Sequence, residues 1–289
     1  MQISVSHATT YRFERPPAHG LQRLRLRPKS THGQRVLDWE MAIEGARVEA
    51  SYEDHNSNHT VLVSFATGTH EIAVTCGGRV ETADNAGVLG PHTGFMPIWV
   101  FRDQTALTRP GPLLRALAAG LRGAREPNRL DQLHELSAMV HDAITFEAGH
   151  TDARTDAEAA LAAGHGVCQD YAHVFIGAAR TLGCPARYVS GYLWQDGVIA
   201  QEAGHGWAEA HVEGLGWVGF DVANAVCPDE RYVRVASGRD YRDAAPVTGI
   251  ALGAGGSALS VQLAVDGGGQ QQGGGGQQQG GGGPAAQSQ

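Results

Sequence analysis

No uninterrupted apolar run of 18 residues occurs in this chain of 289, so a transmembrane helix is excluded as its organising element. Positive charge is short as well. Lys and Arg number 22 against 30 Asp and Glu, for a formal net charge of -8, which argues against nucleic acid or an anionic membrane as the main partner. The opening stretch MQISVSHATTYRFERPPA lacks the charged-then-apolar layout of a secretory signal, and the expectation is a cytoplasmic protein. Cysteine is sparse: four residues, at 76, 168, 184 and 227, with no CxxC pair. That spacing excludes a disulfide framework at this chain length. Cys76, Cys184 and Cys227 read as small apolar packing residues. No acidic loop resembles a calcium-chelating cluster, and no internal repeat is apparent.

What is present is enough chain for two domains, with a hydrophobic content of 42%. Residues 1–100 read as all-β. Short alternating runs at 2–6, 21–27, 39–43, 47–52, 60–65 and 70–76 are separated by Gly, Pro, Asn and Asp clusters, the pattern of a small β-sandwich. In LQRLRLR at 21–27 the arginines take one face; they form either a solvated strand face or an anion or substrate rim, and the solvated face is the plainer expectation. A Pro-rich linker, 91–112, carries Phe95, Trp99 and Phe101 as apolar anchors.

Beyond it the period changes. Residues 112–122, 130–146 and 156–163 read as helices, the second with Leu130, Leu133, Leu136, Val140 and Ile144 on one stripe and the third with Thr155 as a candidate cap. Runs at 187–194, 207–212, 217–221, 232–235 and 258–265 read as strands. The expected class is α+β: a sandwich domain at 1–100, a core at 101–265 of helices packed on an antiparallel sheet and closed by the last strand, and a Gly/Gln tail at 266–289 that cannot bury a core.

The stretch GHGVCQDYAHVFIGAARTLG, 164–183, is the centre of the core. A glycine turn delivers Cys168 to the start of an apolar helix that Gly183 ends. Free N–H groups and the positive end of the helix dipole favour a sulfur anion at such a site. A thiol nucleophile needs a base. His205 supplies one at the entry of the 207–212 strand, and the turn EGLG at 213–216 folds the next strand back, so that Asp221 returns toward His205. With a two-residue turn Asp221 would oppose Ala208, roughly 10 Å along the strand from His205; a longer loop closes the gap. The roles then follow: Cys168 as nucleophile, His205 as proton carrier, Asp221 as its orienting acid, and the Cys168 N–H as half of an oxyanion hole. The second donor is not legible, with Gln169 and Trp99 as bare candidates. Each residue also has a plain alternative: Cys168 as packing, His205 as a strand-end histidine, Asp221 as a strand terminator, Asp170 as a hydrogen-bonding residue of the first turn, His173 as a core histidine and His211 as a weaker base. A metal set of His165, Cys168 and His173 with His205 or His211 matches no tight zinc spacing.

At these blocks the chain resembles the bacterial transglutaminase-like family. GHGVCQDYAHVF at 164–175, HGWAEAHVEGLGWVGFD at 205–221 and CPDERYVRVASGRDYRDAAPVTG at 227–249 carry the resemblance, and HATTYRFERPP and LRLRP resemble the β domain that precedes the core in that family. It covers most of residues 1–265. It implies a papain-like cysteine-enzyme core with Cys168, His205 and Asp221 at the triad positions, a peptide or protein substrate, and no cofactor. Two departures stand out: Val222-Ala-Asn224 replaces Pro-Thr-Asn, and Gly206 replaces an alanine. The chemistry implied is acyl transfer through a thioester, with hydrolysis expected over crosslinking to an amine. The competing class is a binding scaffold with a vestigial triad.

Overall fold

The structure is a computed structural model that describes residues 1–121 and 128–268. The first seven strands are β1 Gln2–Phe13, β2 His19–Leu24, β3 Gln34–Glu44, β4 Ala46–Glu53, β5 His59–Phe65, β6 Glu71–Thr82 and β7 Val88–Gly90. A short 3-10 turn, Ile98–Arg102, leads to α1 Pro112–Gly120 and α2 Arg129–Ala143. Then come β8 Thr145–Phe146, α3 Ala157–Ala163, β9 His165–Gly166 and α4 Cys168–Thr181. Next come β10 Ala186–Leu193, β11 Ala200–Gln201, β12 His205–Val212, β13 Gly216–Phe220 and β14 Tyr232–Gly238. The chain closes with α5 Tyr241–Ala244, β15 Val247–Leu252 and β16 Ser257–Gly267. The class is α+β as the sequence implies, a β-sandwich ahead of helices packed on an antiparallel sheet.

Strand β1 shows why the sandwich forms. Ile3, Val5, His7 and Thr9 turn inward at period two while their neighbours face out. The two sandwich sheets run β11-β16-β1-β6-β3 and β15-β2-β5-β4. The core sheet runs β14-β10-β12-β13-β7. Its two faces meet different partners. On one side Ala208, Ala210 and Phe220 pack with α4 and the other helices. On the other, Tyr192, Val233 and Val235 join the apolar interior of the sandwich. Helix α4 is therefore covered nearly all round, as its sequence implies.

The ends of the chain correct the expected division. The strand expected to close the core at 258–265 pairs instead with β1, from Ile3↔Gly267 to Phe13↔Ser257. Strand β15, which the sequence did not announce, pairs with β2. Both strands cover sandwich edges that would otherwise expose unpaired backbone. In exchange, β7 from the first hundred residues extends the core sheet beside β13. Residues 266 and 267, expected to belong to a structureless tail, are the end of β16; residues 269–289 lie outside the described residues. The helix expected over 112–122 ends at Gly120, and residue 122 also lies outside them. The helix expected to reach Phe146 stops at Ala143, because Thr145 and Phe146 pair in parallel with His165 and Gly166. Asp156, not Thr155, caps α3 by accepting the Ala159 N–H at 2.8 Å.

One buried charge cluster ties the core sheet together. Glu209, 0% exposed on β12, accepts from Arg187 of β10 at 2.5 Å and from Arg234 of β14 at 2.8 Å. Burial alone would raise its pKa, and the two guanidiniums hold it below the ordinary value instead. Glu209→Ala is expected to cost about 3–5 kcal/mol by stranding two largely buried cations. A urea melt reads this, and a loss under about 1 kcal/mol would contradict it.

Candidate functional site

Cys168 is the first residue of α4, where the chain leaves α3 through two glycines. Gly164 takes φ 68°, the left-handed end of α3. A Cβ on Gly166 would lie 2.7 Å from Asp170 Cβ, so the turn needs a glycine there as well. Asp170 then locks the turn. Its Oδ2 accepts the Val167 N–H at 2.8 Å and the Thr151 hydroxyl at 2.7 Å. Burial pushes the Asp170 carboxyl up. The structure thus gives Asp170 the hydrogen-bonding place that the sequence suggested. The amide of Cys168, at the first helical position, has no partner available within the helix.

The hairpin β12–β13 brings the other two candidates together. Its register is Val212↔Gly216 and Ala208↔Phe220, which sets Asp221 level with Trp207 rather than Ala208. Three loop residues, 213–215, replace the two-residue turn and move Asp221 one step toward His205. His205 and Asp221 become diagonal neighbours, within side-chain reach. His205 Nε2 donates to Asp221 Oδ2 at 2.6 Å. With Nε2 taken, Nδ1 remains for Cys168, which interacts with the ring. Burial by itself would push the His205 pKa down; the hydrogen bond to Asp221 and the interaction with Cys168 outweigh it and hold the imidazole at about 10. His205 therefore carries its proton throughout the neutral range.

Asp221 is 0% exposed and fully engaged. Besides His205, its Oδ2 accepts from Asn224 Nδ2 and from the Tyr232 hydroxyl, each at 2.7 Å. Burial would raise its pKa, and the bond to His205 with the others holds it low. The Val222-Ala-Asn224 departure leaves this intact. Backbone bonds between Asp221 and Val226, at 2.9 and 3.1 Å, close the loop, and Ala225 takes φ 54° to complete it. The sequence flagged Asn224 but not Tyr232, whose hydroxyl across the strands leaves no local signature. Trp207 also escaped notice; it stacks near His205, with ring centroids 6.2 Å apart.

The other candidates fall elsewhere. His173 is buried in the body of α4, accepts the Tyr241 N–H at 3.1 Å and is pushed down to about 3 by burial, so it is neutral. His165 lies 2.9 Å from Glu147, and His211 packs on Trp217. Trp99 is 63% exposed and is not among the described residues that border the cavity of Cys168. Gln169 does border the cavity beside Cys168, though its amide also reaches the Asp152 carbonyl at 3.5 Å.

That cavity, of about 220 Å³, lies between the core and the sandwich and is walled by Cys168, His205 and Tyr188 on one side and by His7, Arg25 and Tyr192 on the other. Gly206 has a specific reason to be glycine. A Cβ there would meet the Tyr188 hydroxyl at 2.0 Å. Gly206→Ala is expected to destabilise the chain by about 1–3 kcal/mol through overpacking. Thermal melting reads it, and an unchanged midpoint would contradict the contact.

Comparison with known proteins agrees with this organisation. Residues 115–222 match the transglutaminase-like superfamily, and residues 3–81 match the bacterial transglutaminase-like N-terminal region. An uncharacterised protein of Mycobacterium leprae is 29% identical over 279 residues, covering 91% of this chain and 98% of its own length. An uncharacterised protein of Mycobacterium tuberculosis is 27% identical over 272 residues, covering 85% of this chain and 86% of its own. Among solved structures, a protein of Cytophaga hutchinsonii provisionally named a cysteine protease superposes with a TM-score of 0.73 at 19% identity, covering 92% of this chain and 90% of that one. At that identity the likeness is one of fold.

Proposed function

From the premise that this chain belongs to the transglutaminase-like superfamily, a family of cysteine-dependent enzymes, we propose that it cleaves amide bonds through a thioester on Cys168. The observation that carries this reading is His205, bonded to Asp221 at 2.6 Å and interacting at once with Cys168. A protonated imidazole beside the sulfur leaves the sulfur free to attack. Sγ adds to the amide carbonyl, and the oxyanion that forms lies by the Cys168 N–H at the start of α4. His205 gives its proton to the departing amine as the C–N bond breaks. Water enters, His205 takes one of its protons, and hydroxide adds to the thioester carbonyl; collapse breaks the C–S bond and releases the carboxylic acid. Asp221 keeps the imidazole oriented and stabilises its charged form, and is itself held by Asn224 and Tyr232.

Peptide or protein amides are the proposed substrates. Transfer to an amine uses the same residues and differs only in the acceptor. The deciding experiment offers a glutamine peptide with and without a primary amine. Ammonia release without amine incorporation is the expected result; incorporation would replace hydrolysis by crosslinking. Release by neither route, with the Cys168 thiol unreactive, would leave a binding protein.

A further inference from the structure

Arg25 is the one charged side chain of the arginine-rich strand that the fold takes inside. Its neighbours Arg23 and Arg27 are exposed, as a solvated face requires, whereas Arg25 is 1% exposed beyond the end of β2. The alternation breaks there, and Leu24, Arg25 and Leu26 are all buried. A buried guanidinium ordinarily meets a carboxylate with two parallel N–H groups. Arg25 does not. Only its Nε reaches Asp54 Oδ2, at 2.9 Å, while Nη1 is buried with no partner. Asp54 has little left to give, because it also accepts the N–H groups of Asn56 and Asn58, both at 2.9 Å, and the Asn58 side chain at 3.2 Å. Nη1 of Arg25 is left over, and Arg25 forms part of the wall of the cavity that holds Cys168.

Asp54 balances the Arg25 charge through Nε, and the cavity wall offers Nη1 no acidic partner. No Asp or Glu is among the described residues that border it. His7, also in the wall, has both ring nitrogens occupied, Nδ1 with the Tyr192 hydroxyl at 2.8 Å and Nε2 with Thr9 at 2.9 Å. The cavity thus presents a guanidinium on the sandwich side and a protonated His205 on the core side. Asp54 and Asp221 balance these charges, but a buried guanidinium N–H without an acceptor is costly unless a ligand supplies one.

We propose that Arg25 is a specificity residue of this cavity and reads a carboxylate on the acyl donor, so that the preferred substrate is an amide with a free carboxylate near the scissile bond. The proposal rests on Cys168 being the nucleophile, and its test separates the two. Two small alkylating agents of nearly the same size, iodoacetate and iodoacetamide, are compared for their rates at Cys168 by intact mass and peptide mapping. In the wild-type chain iodoacetate is favoured. In Arg25→Gln the ratio of iodoacetate to iodoacetamide rates falls by roughly ten-fold or more, the worth of a charge-assisted hydrogen bond in a dry site. His205 attracts the anion in both proteins and cancels in the comparison.

Arg25→Gln strands Asp54. The double variant Arg25→Met with Asp54→Asn removes both charges and decides the matter if the single variant does not fold; its ratio falls likewise, while Asp54→Asn alone keeps the wild-type preference. Protection of Cys168 from iodoacetamide then identifies the carboxylate. N-acetylglycine stands for a peptide C-terminus and N-acetylglutamate α-amide for an acidic side chain, and protection by either is lost in the Arg25 variants. A ratio unchanged by removing Arg25, equal slowing of both reagents, or protection by neither carboxylate overturns the proposal. Failure of Cys168 to alkylate faster than an ordinary thiol, with no effect of His205→Ala, overturns the nucleophile itself.

Discussion

Incubated with an activated peptide ester, the chain is expected to gain one acyl group, on Cys168, and the Cys168→Ala variant none. The other thiols are poor competitors for physical reasons. Cys76 and Cys184 are buried, and burial pushes each up to about 11. Burial also raises Cys227. None of the three lies beside a histidine that is bonded to a carboxylate. Amide turnover in Cys168→Ala is expected to fall by roughly 10⁴-fold or more, since no other group there can form the acyl-enzyme. His205→Ala should leave acylation slow, by about 10²–10⁴-fold, because the proton carrier is lost while the helix start and the cavity remain. Intact-mass spectrometry over a time course reads both. An adduct that persists in Cys168→Ala, or a rate indifferent to His205→Ala, defeats the mechanism.

The sequence announced this arrangement unevenly. Cys168 was legible because a glycine turn followed by a buried apolar helix is a local pattern, and local patterns are what a sequence displays. His205 and Asp221 were legible as a hairpin but not as a bonded pair, since the difference between Ala208 and Trp207 opposite Asp221 depends on one loop residue. Tyr232 was invisible as a site residue, and Arg25 was legible only as one arginine of a possible rim set below the solvated-face reading, for a common reason. Each acts at a point where two distant elements meet: β14 with the end of β13, and the end of β2 with the core cavity. Arg25 sits in a run whose alternation points its basic residues outward, and only the chain's departure from the sheet after Leu24 turns it in. The closing strands misled for the opposite reason. ALSVQLAV alternates as a strand wherever it pairs, and periodicity does not state the partner; the open edge of β1 does.

Asp221→Asn is expected to have the second large effect, and it shows in the pH profile as well as the rate. In the wild-type chain burial opposes the charge on His205, and the bond to Asp221 and the interaction with Cys168 overcome that to raise its pKa from 6.5 to about 10. The sign follows from linkage. A group raised in the folded state contributes stability that is complete below its unfolded value, near pH 6.5, and lost as pH rises through about 10. Asp221, lowered in the fold, contributes stability above its ordinary 3.8 that is lost as pH falls through the lowered value. An amide in place of the carboxylate removes the negative charge and gives Oδ2 a weaker acceptor or an outright donor opposite Nε2. His205 then titrates lower, and the alkaline limb of the stability profile moves down with it. Turnover near neutral pH falls by roughly 10²–10⁴-fold, because the imidazole loses both its orientation and its preferred protonation state. NMR titration of the imidazole and urea melts between pH 6 and 10.5 read the shift directly. If the alkaline limb stays in place while activity is lost, Asp221 shapes the loop around Val226 and does not set the charge on His205.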